Sequence, residues 1–447
     1  MPALLDKLLD RPKNLDAGKQ SRSYKVLAVL SLIALILQTS MLFLSLFERP
    51  LPYTISEPGR EPIDSPELSR ILSAHTGGGL YQRNRVEVLT NGEAFYAAEL
   101  AAIAAAQDSV NIECYIFNKG RLTEQMLQAL EERARSGVQV RMVIDAVGSA
   151  SFSDSRFLTL REAGGRVTWY HPLRWYSWPR ANNRTHRELL IVDGTVGFAG
   201  GAGFADQWLY GDDKQARWRD TMIRVEVEAA SGLAATFAEN WLESSGEMLV
   251  HPRFFPFRPA SGETKALVVT SSPTSGRSTE ARMLFQTLLA KSTRSVHIAT
   301  PYFLPDKSFR DELTKAIRER HVEVTVIVPG AASDHLLTRR SSRSLYGDLL
   351  QAGARIFEYQ PTMLHTKSMI VDGLWAVVGS TNLDARSFGL NDEVNVAIPD
   401  AEVARRLEQD FREDLKRSRQ VNYEEWKRRS LLEKIQEWFG WLLLNQQ

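Results

Sequence analysis

The sequence predicts an α/β fold of two similar halves related by a pseudo-twofold. Each half reads as a mixed, mostly parallel sheet flanked by helices, and an N-terminal transmembrane helix precedes them. Three features lead there: a nine-residue motif that occurs twice, a strand–helix alternation that also occurs twice, and one long uncharged apolar run. The chain has 447 residues, more than one hydrophobic core ordinarily fills, so two domains are expected.

The apolar run covers residues 26–47, 22 residues without a charge. About 20 suffice to cross a bilayer as a helix. Before it lie Lys7, Arg11, Lys13, Lys19, Arg22 and Lys25; just after it lie Glu48 and Arg49. Basic residues favour the cytoplasmic side, so segment 1–25 is expected in the cytoplasm and the body outside it. A cleaved signal peptide has a shorter apolar region that ends in small residues. Here the run ends Leu44-Ser45-Leu46-Phe47-Glu48-Arg49-Pro50, a poor cleavage site, so an uncleaved anchor is the better reading. Residues 48–66, rich in proline and polar groups, read as a linker.

In the first half, 67–255, strands are expected at 110–117, 138–144 and 166–170, with helices at 122–136 and 157–163. In the second half, 256–423, the same order recurs: strands at 296–300, 322–328 and 355–359, with helices at 307–320 and 343–352. Strands alternating with helices argue for layered α/β structure. The seam falls near 252–264, where Pro256, Pro259 and Gly262 interrupt the pattern. Cys114, the single cysteine, sits in the first of these strands and reads as a small core residue, and an intramolecular disulfide is impossible. In the last segment, 424–447, Leu431, Leu432, Ile435, Trp438, Phe439 and Leu442 share one helical face. With the basic residues before them they suit either a membrane interface or a helix packed on the body. Basic and acidic residues number 55 and 54, a balance that gives no support for nucleic-acid binding. No CxxC or HExxH pattern suggests zinc.

Each half then reaches its motif. The first reads His186-Arg187-Glu188-Leu189-Leu190-Ile191-Val192-Asp193-Gly194, followed by Gly200-Gly201. The second reads His365-Thr366-Lys367-Ser368-Met369-Ile370-Val371-Asp372-Gly373, followed by Gly379-Ser380-Thr381-Asn382. Side chains alternate along a strand, so His365 and Lys367 share a face in the extended reading of 365–372. Lysine offers a compact positive charge, and histidine can attack phosphorus or move a proton near neutral pH. Ser380, Asn382 and the backbone around Gly201 can donate to phosphate oxygens. Two imidazoles brought together can form and break a covalent phosphoryl intermediate. His75, His171, His251, His297, His321 and His335 carry no such pattern and read as structural or surface groups.

These motifs resemble the paired HKD motifs of the phospholipase D superfamily, and within it the bacterial cardiolipin synthases. The likeness covers about residues 85–421. Supporting segments are Trp218-Arg219-Asp220-Thr221, Thr300-Pro301-Tyr302-Phe303-Leu304-Pro305, Ser380-Thr381-Asn382-Leu383-Asp384-Ala385-Arg386-Ser387 and Leu390-Asn391-Asp392-Glu393-Val394-Asn395. The resemblance implies that His186 is the nucleophile and His365 the acid and base. It implies that Asp220 orients His186, that Glu393 orients His365, and that Asp193 and Asp372 are structural. It implies no metal or other cofactor. The expected partners are a phospholipid, phosphatidylglycerol first, and the bilayer. The expected location is the inner membrane of a bacterium, single-pass, with the catalytic body on the extracytoplasmic side.

One position departs from the motif. Glu188 stands where the first lysine belongs, on the expected face of His186. Opposite charges about 4 Å apart attract by about 1 kcal/mol in water and by several in a partly buried site, and exchanging attraction for repulsion roughly doubles the difference. A carboxylate there must be protonated or paired, for example with Arg184. Three outcomes follow: a phosphatidyltransferase making cardiolipin from phosphatidylglycerol, a hydrolase releasing phosphatidic acid, or a lipid-binding protein that Glu188 has disabled. Tyr115, Tyr302 and Phe303 are candidates for an apolar entry.

Overall fold

The computed structural model describes residues 17–46, 53–55, 59, 61–174, 182–211, 216–256, 262–272, 279–430 and 433. It divides into two compact units, Met1–Pro50 and Leu51–Gln447. In the first, Ala17–Leu46 is one helix of 30 residues, which takes in the expected anchor apart from Phe47. Its side chains are described for residues 25–40. Among the described residues no helix is long and apolar enough to cross a membrane. The expected C-terminal amphipathic helix lies, except for its first residues, outside the described residues.

The second unit is built on one sheet. Its first half contributes β1 (Gly79–Thr90), β2 (Ser109–Cys114), β3 (Gln139–Asp145), β4 (Arg166–Tyr170), β5 (Arg184–Thr185), β6 (Leu189–Val192), β7 (Val196–Gly200) and β8 (Thr221–Val227). The second half contributes β9 (Thr264–Ser271), β10 (Ser295–Ala299), β11 (Glu323–Pro329), β12 (Arg355–Tyr359), β13 (Ser368–Val371), β14 (Trp375–Gly379), β15 (Asn391–Pro399) and β16 (Ser418–Gln420). Outward from the seam, one side runs β1, β8, β7, β6, β2, β3, β4. The other runs β9, β15, β14, β13, β10, β11, β12. The two orders correspond strand for strand, as the pseudo-twofold requires. The halves expected at 67–255 and 256–423 thus join edge to edge through antiparallel β1 and β9.

The sheet is mixed but not mostly parallel. Among the described strands, β2–β3 and β3–β4, their counterparts β10–β11 and β11–β12, and the short β5 against β15 run parallel. The motif strands are antiparallel to both neighbours. The cause is a tight turn after each motif. Asp193 and Gly194 have φ of 50° and 61°, and Asp372 and Gly373 have 55° and 64°. Left-handed backbone at an Asp–Gly pair reverses the chain into a hairpin. The expected single helix at 343–352 is two, Leu336–Ser344 and Tyr346–Ala352.

One face of the sheet carries a core shared by both halves. Leu233, Phe237 and Trp241 of the helix Glu228–Ser245 lie there with Val403, Leu407 and Phe411 of the helix Ala401–Lys416. The second helix starts where Asp400 accepts from the Glu402 and Val403 amides, a regular N-cap. Its apolar residues recur at helical spacing, so one stripe meets the sheet. The opposite face has two separate cores, one within the first half and one in the second half that also takes in Leu68 and Leu72. Cys114 is fully buried in the first of these, as expected.

The motif aspartates clamp their turns. Asp193 accepts from the amides of Gln107, Asp108 and Ser109. Asp372 accepts from the Thr293, Arg294 and Ser295 amides and the Thr293 hydroxyl. Removing such an acceptor strands part-buried donors, at about 1–3 kcal/mol each. Asp372→Ala is therefore expected to destabilise the body by roughly 2 kcal/mol or more. Denaturant unfolding of the two proteins measures it, and an unchanged midpoint would contradict the clamp.

Candidate active site

Both motif histidines sit just ahead of β6 and β13, not inside the strands. Each is placed by the other half. Thr185 of β5 pairs with Asp392 of β15, and the His186 amide donates to the Asp392 carbonyl at 2.9 Å. Correspondingly, Leu364 bridges Arg219, and the His365 amide donates to the Arg219 carbonyl at 2.7 Å.

These backbone contacts decide which acid meets which imidazole. His186 Nδ1 lies 3.0 Å from Glu393 Oε1, and His365 Nδ1 lies 2.8 Å from Asp220 Oδ2. The pairing that the resemblance implies, Asp220 with His186 and Glu393 with His365, is exchanged. The reason is the residue next door: each acid directly follows the residue whose carbonyl holds the opposite motif, and its side chain meets that histidine.

Neighbours fix the acids in turn. Trp208 Nε1 donates to Asp220 Oδ2 at 2.9 Å, and the Thr221 amide donates to Oδ1 at 2.8 Å. Burial alone would raise the Asp220 carboxyl, but the hydrogen bond and charge of His365, with Lys367 behind them, hold it below the ordinary range. Burial, with Lys367 adding to it, pushes His365 below the ordinary imidazole range. Trp208 and Trp218 flank its ring. Tyr115 meets the His186 ring edge-on.

His186 and His365 border one cavity of about 310 Å³ with Glu188, Asn382, Asp384, Arg184, Arg386, Tyr115, Tyr302 and His335. Of the expected phosphate ligands, Asn382 lines this cavity. Ser380 does not; its hydroxyl bonds to Glu393, so it supports that acid instead. Gly201 packs on Asp220, where a Cβ would stand 2.7 Å from Oδ1. Lys367 lies behind His365, with Nζ 3.3 Å from Nε2 and donating to the His365 carbonyl at 3.0 Å. Tyr115 and Tyr302 are wall residues as expected, whereas Phe303 is buried in the core. Asp384 is an addition: burial raises its carboxyl to about 6. His335, given no role from sequence, stands exposed at the wall beside Tyr302.

Glu188 does not pair with Arg184, whose guanidinium faces Asp145 at 3.5 Å. The Tyr115 and Ile116 amides donate to Glu188 Oε1 at 3.3 and 3.5 Å. Burial pushes its carboxyl well above the ordinary range despite Lys367. Of the two alternatives read from sequence, protonation fits this geometry.

The crossed pairing makes a specific prediction. Asp220→Asn should shift the ring nitrogen resonances of His365 and leave those of His186 in place, and Glu393→Gln should do the reverse. Each should lower turnover on the order of 10³-fold or more, as loss of a carboxylate orienting a catalytic imidazole does. Nitrogen NMR of histidine-labelled protein checks the assignment.

A family profile described as cardiolipin synthase, PLD-like domain, matches residues 100–241 and 285–415. The major cardiolipin synthase ClsA of Bacillus subtilis is 35% identical over 382 residues, 85% of this chain and 78% of that one. A cardiolipin synthase of Listeria monocytogenes is 33% identical over 377 residues, 83% of this chain and 77% of that one. Among solved structures, the phosphatidylserine synthase of Haemophilus influenzae superposes with a TM-score of 0.64 at 14% identity. It covers 84% of this chain and 96% of its own. The profile spans both halves, the relatives span most of the body, and the paired histidine motifs meet at one cavity: the chain belongs to the phospholipase D-like cardiolipin synthase family.

Proposed function

We propose that this protein is a membrane-anchored phosphatidyltransferase that makes cardiolipin from two molecules of phosphatidylglycerol. The observation that carries the reading is the pair of imidazoles on one cavity, each with a carboxylate on Nδ1. A carboxylate there fixes the tautomer and leaves Nε2 for the substrate. The cavity volume suits a phosphodiester headgroup and not acyl chains.

In the first step one Nε2 attacks phosphorus and the bond from phosphorus to the glycerol oxygen breaks. The second imidazole gives its proton to that oxygen, and glycerol leaves. In the second step the hydroxyl of another phosphatidylglycerol loses its proton to the second imidazole and attacks phosphorus. The P–N bond breaks, and cardiolipin is released with both histidines restored. Attack needs a neutral ring. Burial and Lys367 favour the neutral form of His365, so His365 attacks in this reading and His186 serves as acid and base, the reverse of the order that the resemblance implies.

The anchor is proposed from the uncharged run at 26–47, which folds as a helix up to Leu46. The basic residues before it favour a body outside the cytoplasm, in the inner membrane of a bacterium. Hydrolysis to phosphatidic acid differs only in the second acceptor, water in place of a lipid hydroxyl.

Incubation with phosphatidylglycerol liposomes tests the reading. Cardiolipin plus glycerol is expected, with loss of at least about 10³-fold in His186→Ala and in His365→Ala. Phosphatidic acid as the sole product would establish the hydrolase instead. Rapid quench in neutral denaturant, which spares the acid-labile P–N bond, separates the histidines: labelled phosphoenzyme retained in His186→Ala and absent in His365→Ala supports attack by His365, and the opposite pattern supports His186.

A further inference from the structure

The halves differ at three motif positions, and two of the differences meet at one point. Where the second half has Lys367, Ser380 and Asn382, the first has Glu188, Gly201 and Gly203. A Cβ on Gly203 would stand 3.1 Å from Glu188 Oε1 and 2.6 Å from the Ile116 carbonyl oxygen. An asparagine like that of the second half would therefore clash with the Ile116 carbonyl and crowd the Glu188 carboxyl. The glycine and the glutamate fit each other, which marks Glu188 as part of a built arrangement and not an isolated defect.

So seated, Glu188 is 4% exposed. Its Oε1 takes two backbone amides, while Oε2 is buried without a hydrogen-bond partner among the described residues. The residue nevertheless borders the cavity of His186, His365 and Asn382. An ionised carboxylate would leave a buried charged oxygen unpaired, a state that folded proteins avoid. A neutral carboxyl has one hydroxyl to give, and a bound phosphodiester supplies oxygens to receive it.

We propose that Glu188 is a substrate-binding residue in its own right: a neutral carboxylic acid whose Oε2 hydroxyl donates to a phosphoryl oxygen, and whose lack of charge selects singly charged phosphodiesters over doubly charged phosphomonoesters. This rests on the phosphodiester reading given above. A lysine at this place would bring a second motif cation to the site and favour the dianion. The charged and titratable groups around Glu188 agree with a neutral state. Burial is the largest influence, Lys367 and the Ile116 and Tyr115 amides oppose it, and Asp220 adds to it; Tyr96, Cys114 and Tyr115 interact with the carboxyl and carry no charge near neutral pH. The group stays protonated below its raised pKa, so donation is lost as pH rises through that value.

Infrared difference spectra of the parent against Glu188→Gln at pH 7 test the protonation state without turnover. The carbonyl stretch of a neutral acid is expected; carboxylate bands in its place would overturn the proposal. With short-chain phosphatidylglycerol, Glu188→Ala should lower kcat/KM roughly 10- to 100-fold, the worth of one hydrogen bond to a charged acceptor. Glu188→Gln, whose amide still donates, should recover most of that loss. An alanine variant as active as the parent, or a glutamine variant as poor as alanine, would sink the donor role. Short-chain phosphatidic acid should compete about tenfold or more better against Glu188→Lys than against the parent, and equal competition would refute the selection. If no protein turns over phosphatidylglycerol, calorimetric binding of the same two short-chain lipids makes the comparison. A preserved pattern there would keep Glu188 as a donor and place the failure in the proposed reaction.

Discussion

Antiparallel pairing of β1 with β9 puts both halves into one sheet, and the positions of both motif histidines and of the carboxylates on their Nδ1 atoms descend from it. The seam sets β8 and β15 symmetrically about it, each one strand further out. Asp220 immediately precedes β8, and Glu393 is the third residue of β15. Their backbones then receive the opposite motif, so each imidazole meets a carboxylate from across the seam. The shared core of Leu233, Phe237, Val403 and Phe411 backs the same junction and resists its opening.

Much of this was legible in the residues. The duplication around His186 and His365 announced a pseudo-twofold, and the alternation of strands and helices placed Arg166–Tyr170, Lys307–Arg320 and Arg355–Tyr359 at their observed bounds. The antiparallel character was also written there, in Asp193-Gly194 and Asp372-Gly373, a dipeptide that signals a hairpin more strongly than alternation signals a parallel pair. What alternation could not disclose was the partner across the seam. Asp220 follows His186 by 34 residues, and sequence proximity favours that pairing; the carbonyls of Arg219 and Asp392, which enforce the exchange, have no sequence signature. Ser380 was misplaced for a similar reason, because a hydroxyl beside a motif can serve the substrate or the acid behind it, and only position separates the two.

The two halves share geometry but not electrostatics. In the second half a lysine, an imidazole and a carboxylate are packed within hydrogen-bonding reach, and burial weakens the charged forms of Lys367 and His365. In the first half, a carboxyl held by backbone amides replaces the ammonium, with glycine making room beside it. The second half thus places an amine beside its imidazole where the first places a carboxyl, which gives an otherwise symmetric cavity a direction.

The exchange of carboxylates has a consequence for how the site can fail. Neither half contains a complete dyad: the first holds a histidine whose acid is elsewhere, and so does the second. A fluctuation that parts β1 from β9 would strip both imidazoles at once, and local opening of one half alone would still disarm the other. In the proposed reaction, turnover is therefore all-or-none with respect to the junction. Activity reports the integrity of one strand pair, and a single half, however well folded, has nothing to catalyse with unless a second half, separate or its own copy, closes against it.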